Sequence, residues 1–94
     1  MTDKEFIENL LESSKPVRKK MLYDYMIGLG FQVSTNNQHI HLFCRYTEFN
    51  LDLWPTVGKM NITIAYEFGR KRKYYGYHAI VTEINRLHKL YLED

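Results

Sequence analysis

From Gln38 to Tyr66 the apolar residues recur at every second position, a period that suits a β-sheet with one face turned inward and excludes a helical middle to the chain. Ile40, Leu42, Cys44 and Tyr46 alternate with His39, His41, Phe43 and Arg45. Phe49, Leu51 and Leu53 then alternate with Asn50, Asp52 and Trp54, and Met60, Ile62, Ile64 and Tyr66 with Asn61, Thr63 and Ala65. Three strands sharing one apolar face are expected. Phe31-Gln32-Val33 adds a short extended piece, joined through Asn36-Asn37, which tolerate the backbone of a tight turn.

That face needs a cover, and the flanking segments have helical spacing. Thr2 with Glu5 forms a capping-box pattern ahead of Phe6, Ile7, Leu10 and Leu11, which predicts a helix over about 3–13. Pro16 suits a first helical turn and Gly30 a left-handed helix end. Val17, Met21, Leu22, Tyr25, Met26 and Leu29 between them predict a second helix over about 16–29. Ile80, Ile84, Leu87 and Tyr91, widened by Val81 and His88, predict a third over about 76–92, with Glu83, Arg86, Lys89 and Glu93 pointing away from the core. The expected fold is α+β: a three- or four-stranded antiparallel meander over about 31–67, covered on one face by helices in the order α-α-β-β-β-α, with residues 1–94 as one domain.

A formal charge of +2 forces no reading of partner, but its distribution is uneven. Asp3, Glu5, Glu8 and Glu12 precede Lys15, Arg18, Lys19 and Lys20, and Arg70-Lys71-Arg72-Lys73 is unbroken, followed by Tyr74 and Tyr75. Adjacent cations repel one another and call for solvent or an anion, and tyrosines stack on unpaired bases, so a basic loop here has the make-up of a nucleic-acid contact. Lys15, Arg18, Lys19 and Lys20 sit against the dipole of their own helix and are a second candidate. The bland alternatives are a solubilising loop and an ordinary basic helix face.

Phe43 and Trp54 break the polar pattern expected of the solvent side of the sheet. With Arg45 and Asp52 they compose a mixed aromatic and polar patch suited to a protein contact or a stacked base. His39 and His41 share one side of a strand and Asp52 the facing side of the next, the minimum from which a metal-dependent nuclease is imaginable. No phosphate-binding glycine loop, nucleophile elbow or paired carboxylates are present, so neither catalysis nor a cofactor is expected. Cys44, the single cysteine, reads as an inert core thiol. The opening residues resemble no signal peptide, and no apolar run reaches the ~20 residues that span a bilayer, which leads us to expect a protein of the bacterial or infected-cell cytoplasm without a membrane partner. Two copies are expected to have an edge strand available for pairing, at Phe31 to Val33 or at Met60 to Tyr66.

Phe49-Asn50-Leu51-Asp52-Leu53-Trp54-Pro55-Thr56-Val57-Gly58-Lys59-Met60 resembles a hairpin of small phage and prophage proteins, with Val57 in place of a second threonine and Met60 in place of an aromatic residue. The resemblance implies a phage-type origin and carries no activity. Helix, three strands and helix, with Lys71, Arg72 and Lys73 before the last helix, also resemble in order the double-stranded-RNA-binding domains, which implies phosphate contact by those residues. Nucleic acid therefore ranks first as partner, through the basic loop. A host protein inhibited by contact with the sheet face or that loop ranks second, and a nuclease using His39, His41 and Asp52 last.

Overall fold

The computed structural model describes residues 2–36, 41–54 and 62–93. Two helices open the chain, α1 (Asp3–Glu12) and α2 (Lys15–Gly28). Five strands follow: β1 (Ser34–Asn36), β2 (His41–Arg45), β3 (Phe49–Trp54), β4 (Ile62–Glu67) and β5 (Arg70–Tyr75). Helix α3 (Tyr77–Leu87) closes the fold and runs into a π-helical turn, His88–Leu92. Every strand pairs antiparallel with the next, giving the sheet order β1-β2-β3-β4-β5 among the described residues.

The helix ends follow local chemistry. Thr2 Oγ1 accepts from the Glu5 amide at 3.2 Å, capping α1, and donates to the Glu5 carboxylate at 3.3 Å. Pro16 lies in the first turn of α2, and Gly30 takes φ 96° just past its end. Leu10, Leu22, Met26, Ile80, Ile84 and Leu87 are fully buried against Leu42, Leu51 and Leu53, so the helices cover one side of the sheet.

Three expectations about the sheet are corrected. First, it has five strands in the order α-α-β-β-β-β-β-α, because Arg70 to Tyr75 form a strand instead of a loop. Phe68 and Gly69, both with positive φ, make a two-residue hairpin turn. The run beyond it pairs residue by residue with β4, the long side chains reaching water from an edge strand. The double-stranded-RNA-binding order thus has three strands where the described residues of this chain form five.

Second, β4 has the opposite phase. Its partners place Thr63 beside Leu53 and Ala65 beside Leu51, so the small residues are buried, at 0% and 2% exposure, while Ile64 and Tyr66 turn to the uncovered face. Alternation defines two sets of residues without saying which goes inward. Here the small set lies beneath α3, whose Arg86 reaches the end of β4 at Glu67.

Third, Phe31 to Val33 are not a strand; Phe31 is a buried core residue, its ring edge-on to Phe49 at 6.3 Å. Met60 lies outside the described residues and β4 is an inner strand, so neither segment proposed for pairing two copies is a sheet edge. The last helical segment covers residues 77–92, close to the expected 76–92, with its final turn widening to π geometry at His88.

Glu83 was expected to face outward and is instead 3% exposed. Arg86 compensates its charge, donating to Glu83 at 2.5 Å and to Glu67 at 3.3 Å. Tyr91 donates to Glu67 in turn. That hydrogen bond, with Arg86 beside it, holds the Glu67 carboxyl below the usual glutamate range, and the same bond raises the Tyr91 phenol. The cluster ties α3 and its π turn to the end of the β4–β5 hairpin.

Candidate nucleic-acid interface

The strand register sorts the candidates by face. Phe43, Asp52, Ile64 and Lys73 form one continuous row across β2 to β5, and Arg45, Asn50, Tyr66 and Lys71 a second. His41, Trp54 and Tyr75 lie in the row on the other side of the first, by the same alternation. All project from the side opposite the helices. Among the described residues no helix lies over this face, and Tyr66 and Tyr75 are 40% and 49% exposed.

The rings on it are held by a buried ionic centre. Asp52, 9% exposed, accepts from Arg45 through both oxygens, at 2.8 and 3.2 Å, and its Oδ1 lies 2.8 Å from His41 Nε2. A carboxylate oxygen is an acceptor, so Nε2 carries the proton. His41 stacks on Trp54 with centroids 4.4 Å apart and planes 2° from parallel, and lies 4.9 Å from Phe43 on its other neighbour. The Arg45 guanidinium covers Phe43 at 4.9 Å. Phe43, His41 and Trp54 thereby form a contiguous aromatic surface, with His41 and Arg45 both anchored on Asp52. Lys71 Nζ sits 6.0 Å over the Tyr66 ring, adding cationic charge beside it.

The basic run divides between the faces. Lys71, Lys73 and Tyr75 join the aromatic surface, whereas Arg70, Arg72 and Tyr74 share the helix side with Glu67, Ala65 and Thr63. Tyr74 packs partly buried against the core on the helix side. On α2, Arg18 donates to the carbonyls of Ser13 at 2.7 Å and Leu11 at 2.8 Å and lies 5.5 Å over Tyr77. Its donors therefore close the C-terminal end of α1 and tie it to α3. Lys20 pairs with Asp24 on the surface, and Lys19 and Lys20 border a cleft with Val33, Thr35 and Leu42 at the β1 edge. The basic run on β5 forms the opposite edge of the sheet, four strand spacings or about 19 Å from β1, so Lys19 and Lys20 stand apart from it, while Arg18 reaches Tyr77 just beyond the end of β5.

His39 lies outside the described residues, no cluster of three ligating side chains exists among those described, and Arg45 already occupies the Asp52 carboxylate that would complete a His41–Asp52 pair. Cys44 is buried on the core side, and burial pushes its thiol up to about 12, which leaves it protonated and unreactive at neutral pH. No described helix is long and apolar enough to cross a membrane.

Comparison with protein-family models, curated proteins and solved structures finds no match. The hairpin residues from Pro55 to Met60 that carry the phage resemblance lie outside the described residues.

Sequence reasoning found Phe43, Arg45, Asp52 and Trp54 as a patch but missed Ile64 and Tyr66, which the inverted phase of β4 adds to it. Phe68 was missed as well. A Phe-Gly pair carries little turn signal beside the usual Asn-Gly or Asp-Gly.

Proposed function

We propose that the open sheet face binds single-stranded nucleic acid, bases stacking on Trp54, Phe43, Tyr66 and Tyr75 while Lys71 and Lys73 neutralise phosphates. The observation that carries this reading is the coincidence on one uncovered face of exposed aromatic rings and half of the basic run. Stacking on a ring is worth about 1–3 kcal/mol per base and tolerates any sequence, and a lysine row beside it follows the backbone. In this reading Asp52 is a positioning residue, aligning His41 and Arg45 and through them the rings. The protein acts as a non-catalytic accessory factor, and the hairpin resemblance supports a phage-type origin.

A second reading uses the same face against a host protein. Arg45 stacked on Phe43 beside Trp54 supports it, since Trp and Arg dominate the energetics of protein interfaces.

Anisotropy of a labelled oligothymidine separates the two. Wild-type protein is expected to bind at about 50 mM salt and release as salt rises, and each of Lys71→Ala and Lys73→Ala to reduce the slope of log K against log salt by about 0.7. Absence of binding at low salt, or binding with no salt dependence, overturns the nucleic-acid reading.

A further inference from the structure

The β4–β5 hairpin ends in a residue that its fold does not need. Phe68 is 82% exposed and takes φ 51°, a left-handed backbone that bulky side chains rarely adopt, at a position where asparagine or glycine would form the same turn without strain. Its ring stands between two clefts. One, of about 230 Å³, is bordered by Tyr46, Asn50 and Tyr66, and the other, of about 450 Å³, by Glu67, Arg70 and Arg72. Behind the tip the hairpin carries cations on both sides, Lys71 and Lys73 toward the open face and Arg70 and Arg72 toward the helix side.

A single strand lying on the open face has use for cations on that face alone. Charges on an edge strand also discourage pairing with another sheet, which would account for all four, but an exposed phenylalanine at the tip works against that protection. An aromatic tip with cations on both flanks fits two phosphate backbones that diverge around it. Apolar side chains inserted at a base step are a known way for proteins to part stacked bases.

We infer that Phe68 is a wedge that stacks on the last base pair of a duplex at a single-strand junction, one arm of the fork passing over Lys71 and Lys73 onto the open face and the other along Arg70 and Arg72. The inference rests on the single-strand reading of that face and adds the kind of substrate. The ligand class is forked or tailed nucleic acid.

The test compares a labelled oligothymidine with a duplex carrying two non-complementary oligothymidine arms, by anisotropy on the full chain. Wild-type protein binds the fork about tenfold more tightly than the single strand, one stacked base being enough for that factor. Phe68→Asn and Phe68→Gly, both at ease with positive φ, raise Tm yet bring the fork down to the affinity of the single strand, which itself stays within about twofold of wild type. Phe68→Trp keeps the fork preference. Equal binding of both probes by wild type, or a preference that survives Phe68→Asn, overturns the wedge and leaves the open-face reading standing. Failure of the oligothymidine to bind overturns both, and failure of the fork alone overturns the wedge.

Discussion

On the covered face, strands β2 and β3 present Leu42, Leu51 and Leu53, all at 0% exposure and matched to leucines and isoleucines of the three helices. One residue along on the same strands, the open face presents Phe43, Asp52 and Trp54, ordered by hydrogen bonds and ring stacking with no second layer above them among the described residues. Stability resides in the first set and surface chemistry in the second. Burial under a helix makes Leu51 part of the fold, whereas Tyr66, on the other face, is 40% exposed.

Substitution breaks that comparison most directly. Leu51→Ala should cost about 3 kcal/mol in urea unfolding, from lost burial and the cavity left behind, against less than about 1 kcal/mol for Tyr66→Ala. Equal losses at both sites would show that the open face also belongs to the core. Next in size is Glu83, the acidic side chain that α3 buries. Arg86→Met strands Glu83 in its buried position and should lower stability by about 2–3 kcal/mol at neutral pH, while adding Glu83→Leu should recover most of that loss.

The Glu67 cluster has a signed pH dependence. Its folded carboxyl titrates below the unfolded one, so its stabilisation is complete above the unfolded value near ~4.3 and disappears as pH falls through the folded value. Acid unfolding curves of Glu67→Gln should therefore be flatter than wild type below about pH 4. The smallest effect concerns the buried hydroxyl of Thr63, which has no hydrogen-bond partner among the described residues. Thr63→Val should raise stability by up to about 1 kcal/mol, a sign opposite to that of most core substitutions.

Much of this architecture was legible. Thr2 with Glu5, Pro16 and Gly30 mark helix ends through local hydrogen bonding and backbone preference, which do not depend on the rest of the fold. Alternation over β2 and β3 sorted Leu51 from Asp52 correctly because the apolar set is also the bulky one. On β4 the two criteria part: Ile64 is more apolar than Thr63, but the space beneath α3 takes the smaller residue, and only the tertiary register carries that information. Arg70 to Lys73 failed as a loop for a related reason, since a cationic run has no inward set to reveal a strand at a sheet edge. For the candidate site, composition pointed to Phe43 and Trp54, yet the alliance of Lys71 and Lys73 with them depends on pairing β5 to β4. Glu83 shows the converse limit: an acidic residue on a helix reads as exposed until Arg86 is placed beside it.

Trp54, the single tryptophan, stands on the proposed binding surface, so its intrinsic fluorescence reports that surface without a label. Titration with oligothymidine at about 50 mM salt should quench it saturably, and raising salt to about 500 mM should restore the emission as counterions compete for the lysines. Emission unchanged by oligothymidine in a natively folded sample, or quenching indifferent to salt, would contradict the assignment of the open face to nucleic acid.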